Sequence, residues 1–385
     1  MSTIINARSP YFIKYTPPAG FLNNVQLEIY IWDGDKNSPP TDVTYTLNKL
    51  AKDNSVGNNV TFEISELIRD YLLTEYYTEA VDAVWVKVDA TLTYVNNLPL
   101  TTTETFTYLA LDGFGYFEDG SNPRTSISPA ASSFTPMVLQ SNLCVQFVRG
   151  REIKIPIFSE TEPTITTNIP NDVWNFTEEF WATADVNWDE TNVTQNITDS
   201  DDSGDKIQYL IISTTNALTG NTITVTSTTG LAQSVTITIE EICEERFDRI
   251  RGIFYNKFGA LQTMWLTKKS TIKTNVKAEN FKRNTIDFTT SPPSYSIYKH
   301  NKKRFNVQAS QSIETNTTLL NECLNEPIEQ LLMSEQVWLE NDALETSPVN
   351  LTTNSIVRKT GVNDKAMIQY GLNFDYAFEK INSVR

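Results

Sequence analysis

A single histidine in 385 residues sets the first limit on the chemistry available to this chain. A Ser-His-Asp or Cys-His nucleophile system would have to be built on His300, because the imidazole must take the nucleophile's proton. His300 lies in the run KHNKKR at 299–304, where neighbouring cations disfavour an imidazolium and nothing suggests a triad. The run reads as a solvated basic loop. Zinc sites need clustered Cys and His, but Cys144, Cys243 and Cys323 stand 99 and 80 residues apart. The opening MSTIINARSP lacks the charged start and apolar stretch of a secretory signal. The three thiols are therefore expected to be reduced and mostly buried, without a structural zinc or a disulfide scaffold.

Carboxylates offer the next candidates. Glu178, Glu179, Asp185, Asp189 and Glu190 lie beside Trp181 and Trp188. A glycosidase needs two such groups about 5–10 Å apart across a sugar groove, and nothing in the spacing places any pair across a cleft. Trp174, Trp181 and Trp188 are better read as anchors of a loop or interface, or as contacts for a glycan or partner. Asp199, Asp201, Ser203 and Gly204 match the first half of a calcium loop, but the position of the bidentate Glu is Leu210. The segment reads as a solvated acidic turn. Neither a phosphate-binding Gly loop nor a dinucleotide fingerprint occurs. No catalytic residue, metal or cofactor is expected.

Charge is unevenly spread. Residues 160–245 hold sixteen Asp or Glu against Lys206, a net −15, while 247–304 hold thirteen Lys or Arg against three acids, a net +10. Clustered cations suit phosphate, but the whole chain is at −16 and no nucleic-acid-binding motif accompanies the patch. Nucleic acid is not the expected partner. The expectation is protein–protein contact, an acidic face of one subunit meeting a basic face of the next. Lys268, Lys269, Lys273, Lys302, Lys303 and Arg304 are the candidate interface residues.

The elements that must position these residues read mainly as strands. The hydrophobic fraction is 39%, with 11% aromatic and only 20% charged residues, and the Thr- and aromatic-rich balance favours pleated, half-buried surfaces. Val25, Leu27, Ile29 and Ile31 alternate with polar residues, and so do Val84, Val86 and Val88. Two helices are expected, at 64–76 with Ser65 as cap and at 326–339 with Asn325 as cap. A hairpin is expected where 143–148 and 152–158 flank Arg149-Gly150-Arg151. Further strands are expected at 207–213, 231–240, 250–256 and 261–266, and a closing hairpin from 349–357 and 366–378. The fold class is thus mainly β, as tandem β-sandwich-like domains with two short-to-medium helices. The domains are an N-terminal sandwich over 1–125, an acidic middle β domain over 126–246 and a C-terminal β domain over 247–385. No run approaches the length of a membrane span.

The segments FYNKFGALQTMWLTKKS, LLMSEQVWLE and SPVNLTTNSIVRKTGVNDKAMIQYGLNFDYAFEKINSVR, with INARSPYFIKY and VQLEIYIWDG near the start, resemble a family of tail or baseplate structural proteins of tailed bacteriophages with Bacteroidota-type hosts. Residues 255–259 and 362–365 carry the resemblance as fold markers. It covers roughly 250–385 and 1–95, and not the acidic middle. It implies a non-catalytic virion component, made in the host cytoplasm. Its implied partners are other virion proteins and further copies of itself, as a homo-oligomer or ring. An adhesive or carbohydrate-binding module using the three tryptophans is the alternative.

Overall fold

The computed structural model describes residues 3–15, 21–34, 36–51, 59–73, 76, 83–95, 101–116, 131–132, 138–158, 163–169, 174–176, 181–182, 193–196, 198–199, 207–227, 234–243, 246–358 and 368–380. Among the described residues the fold is mainly β, with 54% strand and 6% helix. The chain divides into two compact units: one of Met1–Cys243, Ile253–Met264 and Asn321–Gln336, the other of Glu244–Gly252, Trp265–Leu320 and Val337–Arg385.

In the first unit, the alternating sequences near the start build a six-stranded sheet. Its spatial order is Tyr45–Leu50, Phe21–Trp32, Ala83–Val95, Thr101–Leu111, Thr3–Asn6 and Ala131–Ser132. Val25, Leu27, Ile29, Val86 and Val88 are fully buried, as their period of two requires. The sheet is not wholly antiparallel, because Thr3–Asn6 runs parallel to Thr101–Leu111. A second small sheet, Phe12–Tyr15 against Val60–Glu63, adds Ile13, Tyr15, Val60 and Phe62 to the same core.

The first expected helix shrinks to Ser65–Arg69, and Ile64, not Ser65, occupies its N-cap. Ser65 is instead the first helical residue, and its N–H donates to Glu63 Oε1 at 2.9 Å. The chain leaves the helix as a turn at Asp70–Tyr71. The second helix is Asn325–Met333, with Leu324 and not Asn325 as its N-cap. Ser334 ends it in an extended conformation, and the apolar Val337–Leu339 belongs to the strand Val337–Glu340.

The tyrosines of the N-terminal core make a testable point about pH. Burial raises the phenol pKa of Tyr11, Tyr15 and Tyr108 above the usual 10, because a phenolate would be stripped of water there. A raised folded pKa stabilises the fold in full below pH about 10, and that contribution is lost as pH climbs toward the folded values. The urea midpoint should therefore be flat from pH 7 to 9 and fall above 10. The 295 nm absorbance of the buried phenolates should appear together with unfolding, not before it.

The first unit also contains a sandwich. Five strands, Val193–Asn196, Pro163–Thr167, Thr222–Ser227, Ser234–Glu241 and Cys144–Phe147, form one sheet, and Ile153–Ile157, Gln208–Ile212 and Trp174–Phe176 form the other. Phe147, Ile165, Val225 and Ile239 from the first meet Ile155 and Leu210 from the second in one buried cluster. The strands around Arg149-Gly150-Arg151 are thus not a hairpin. Cys144–Phe147 pairs parallel with Ser234–Glu241, while Ile153–Ile157 pairs with Gln208–Ile212 in the opposite sheet. The turn carries the chain from one layer to the other, with Gly150 at φ +78°.

The cysteines differ from expectation. Cys144 and Cys323 are joined by a disulfide across 179 residues of sequence, with Cα atoms 6.6 Å apart, and Cys243 is an exposed free thiol. The first begins a strand and the second lies in the short turn Glu322–Leu324, so their proximity is a product of the fold and not of spacing. Closing so long a loop restricts the unfolded chain strongly. Reduction should cost about 3–5 kcal/mol, read as a lower urea midpoint with reductant, while Cys243→Ser should leave the midpoint unchanged.

The marker turn at 255–259 is held tightly within the first unit. Asn256 Oδ1 accepts from the N–H groups of Phe258 (2.9 Å) and Ala260 (3.2 Å), and its Nδ2 donates to Leu139 O at 2.7 Å. Gly259, at φ +75°, lies against the backbone of Asp112. The other marker, 362–365, lies outside the described residues.

In the second unit the strands run in the order Val337–Glu340, Thr346–Leu351, Gly371–Tyr376, Lys302–Asn316 and Thr271–Lys282. Thr346–Leu351 and Gly371–Tyr376 pair antiparallel as the expected closing strands, shorter than foreseen, with Leu351 opposite Phe374. Arg251 and Glu340 form a buried ion pair at 2.6 Å, with the guanidinium 5.9 Å from the Trp265 ring centre.

Candidate interaction arm

The longest strand pair of the second unit was not foreseen, although its alternation can be read in TIKTNVK. Thr271–Lys282 and Lys302–Asn316 pair antiparallel almost end to end, from Thr271 opposite Glu314 to Lys282 opposite Lys302. The root is fixed in the sheet. Ile313 and Thr315 are buried beside Leu372 and Phe374, and Thr315 Oγ1 donates to Leu372 O at 3.3 Å. Beyond Ile313 toward the tip most side chains are exposed on both strands; Ala309 is buried, and Ala278, Gln311 and Ser312 are half-buried. From Lys273 to Lys282 the arm spans about 30 Å at 3.3 Å per residue.

A bulge divides the arm. Register shifts between Lys277 and Glu279, where the partner strand inserts an additional residue, and Asn306 adopts φ +46°. Asn tolerates that left-handed conformation better than most residues. Root-side of the bulge, Ile272, Thr274 and Val276 share one face with Ile313, Gln311 and Ala309. On the other face Phe281 and Phe305 meet edge to face, ring centres 5.5 Å apart, beside Lys303.

The tip, 283–301, is a small structured cap. Arg283 N–H donates to Asn301 O at 2.9 Å and its Nε to His300 O at 3.2 Å. Ile286–Asp287 pairs with Ser294–Tyr295. The Asp287 carboxylate accepts from the Thr289 hydroxyl (2.5 Å) and N–H (2.9 Å). Those two bonds hold its pKa below the usual carboxylate value, so at neutral pH this acid is tied into the turn. Around it Phe288, Tyr295, Ile297 and Tyr298 are 68%, 71%, 78% and 88% exposed, an apolar cap with no cover within the described chain.

The six cations expected at an interface are placed along this arm, but not as one patch. Lys268 and Lys269 lie at the root, where Lys269 O accepts from Asn316 Nδ2 at 3.0 Å. Lys273 is opposite Ser312 near the root. Lys302 is opposite Lys282, and Arg304 is opposite Asn280 on the same face. Lys303, opposite Phe281, points to the other face. Like charges directly opposite one another are destabilising, so the Lys282–Lys302 pair favours an anionic neighbour. Over 268–304 the chain carries ten Lys or Arg against Glu279 and Asp287, a net +8.

Most of the other candidate residues lie outside the described residues. Trp174 and Trp181 begin the short strands Trp174–Phe176 and Trp181–Ala182, but their side chains, and Trp188 entirely, lie outside the described residues. The same holds for Glu178, Glu179, Asp185, Asp189 and Glu190. His300 is exposed. Among the described residues no group of three His, Cys, Asp or Glu could hold a metal ion, and no helix is long and apolar enough to cross a membrane. What sequence reasoning missed is the arm itself and its aromatic tip. The available signal was two mirrored alternations, at 271–277 and 307–313, separated by a polar, Pro- and Tyr-containing segment. No family model matches the chain, and no curated protein matches it.

Proposed function

We propose that this chain is a non-catalytic structural subunit of a tailed-bacteriophage virion, placed in the tail or baseplate and working through contacts with other virion proteins and further copies of itself. The observation that carries the reading is the arm. A two-stranded ribbon exposed on both faces is marginally stable in water, and this one presents ten of the twenty-two large hydrophobic side chains that are exposed among the described residues. Such surface is expected where a neighbour will cover it. The mainly β architecture suits subunits whose faces and edges are buried by assembly, and nothing in the arm's chemistry suggests turnover of a substrate. The protein is made in the host cytoplasm and ends in the particle.

The reading is tested on purified particles. Antibody raised against this chain should label the tail end in negatively stained images, and the chain should appear among the virion proteins by mass spectrometry. Its absence from particles, with glycan binding that disappears when Trp174, Trp181 and Trp188 are replaced by Ala, would overturn the structural reading in favour of a free adhesive module.

A further inference from the structure

We infer that the arm docks on a second copy of this chain, and that its seat there is the acidic first unit. The inference rests on the structural-subunit reading and names the partner.

Charge supplies the complement. The first unit holds thirteen Lys or Arg against thirty-five Asp or Glu, a net −22, and the second holds eighteen against twelve, a net +6. The positive charge of the second unit is concentrated on the arm, at +8 over 268–304. One copy therefore carries both a basic projection and an acidic receiver. That is the requirement of a head-to-tail contact, which closes into a ring when the rotation per subunit allows.

The distribution of apolar surface decides between partner classes. Exposed apolar side chains run from Ile272 at the root, through Phe281 and Phe305 on the shaft, to Tyr298 at the tip. A lipid surface would take up the tip and leave about 30 Å of shaft in water. A protein surface covers the whole length. Single-stranded nucleic acid would accept cations and exposed rings, but the −22 of the first unit opposes a polyanion.

The partner surface is also not another arm. The outer strand Thr271–Lys282 is the edge of its sheet and carries Lys273, Lys277 and Lys282. Lysines along an edge disfavour strand-to-strand addition, and two such edges would bring like charges together. The chemistry that fits is an acidic surface with room for aromatic rings.

The test uses the full chain. Sedimentation velocity at low salt should show species larger than the monomer that dissociate as salt rises, because exposed charge is screened over about 8–10 Å near physiological ionic strength. A photoreactive phenylalanine in place of Tyr298, in an equal mixture of ¹⁴N- and ¹⁵N-labelled copies, should give cross-links between isotopes that map to the first unit, residues 1–243, 253–264 and 321–336. Combined Lys302→Glu, Lys303→Glu and Arg304→Glu should weaken association about tenfold or more. Ile297→Ser with Tyr298→Ser, exposed positions whose change spares the core, should weaken it independently. Both variants should retain the wild-type circular dichroism spectrum.

A chain that stays monomeric at low salt, or whose cross-links are all within one copy or all between arms, overturns the inference. So does a monomer captured by anionic vesicles or single-stranded DNA. A monomeric chain that is nevertheless found in particles defeats only the arm-to-copy contact, whereas absence from particles defeats the structural reading beneath it.

Discussion

Replacing Gly259 with alanine is expected to cost the fold about 3–5 kcal/mol, whereas the same change at Gly150 should cost about 1–2 kcal/mol. The two glycines have nearly the same backbone, at φ +75° and φ +78°, and an L side chain pays a similar conformational penalty at both. Their surroundings differ. A Cβ on Gly150 meets nothing within 4 Å, but a Cβ on Gly259 would stand 2.6 Å from the backbone carbon of Asp112 and 2.8 Å from its nitrogen. Backbone cannot yield as a flexible side chain can. The Asp112 segment is further anchored by Arg8, whose Nε donates to Asp112 Oδ1 at 2.9 Å and whose guanidinium also bonds Oδ2 at 2.6 Å. Urea denaturation of the two variants side by side separates the terms. Equal losses would show that the 255–259 turn does not press on Asp112, and that its close packing contributes little.

The second large effect is expected at the buried pair of Arg251 and Glu340. Their side chains are 7% and 6% exposed, so removal of one partner strands the other charge away from water. Glu340→Gln or Arg251→Met should each cost about 3–5 kcal/mol. The double variant Arg251→Met with Glu340→Leu should recover most of that loss, because an ion pair replaced by apolar groups of similar volume is often neutral in energy. A double-mutant cycle in urea reads the coupling directly. If the double variant is as unstable as the sum of the singles, the pair is held by its surroundings and not by mutual compensation.

How far the fold could be read in advance depended on the range of the interaction that decides each element. Val25 to Ile31 and Val84 to Val88 declare their strands locally, because alternation is a property of neighbouring residues. Helix ends were less legible. Leu72 continued the apolar period of the first helix and Val337–Leu339 that of the second. The first, however, ends in tight local turns, Tyr71 N–H to Ile68 O and Leu72 N–H to Arg69 O. The second ends at Ser334, whose hydroxyl donates to Gln336 O and accepts from Tyr255 N–H. The pairing around Gly150 was illegible, since a turn flanked by two strands serves a hairpin and a change of layer equally well. Cys144 and Cys323 were likewise silent, because only the packed sheets bring them together. At the candidate site, the cations were legible as a cluster in composition. Their division between the two faces of one ribbon, with Arg304 on one and Lys303 on the other, depends on cross-strand register, which composition does not contain.

The disulfide between Cys144 and Cys323 has a topological consequence for the arm. Every residue of the arm falls inside the covalent loop that the bond closes. A protease cutting at the exposed Lys299, Lys302, Lys303 or Arg304 would sever the backbone without releasing either fragment. The nicked molecule would migrate as one species on a non-reducing gel and as two after reduction. A cut in the arm would thus leave the two halves of the chain tethered through Cys144 and Cys323.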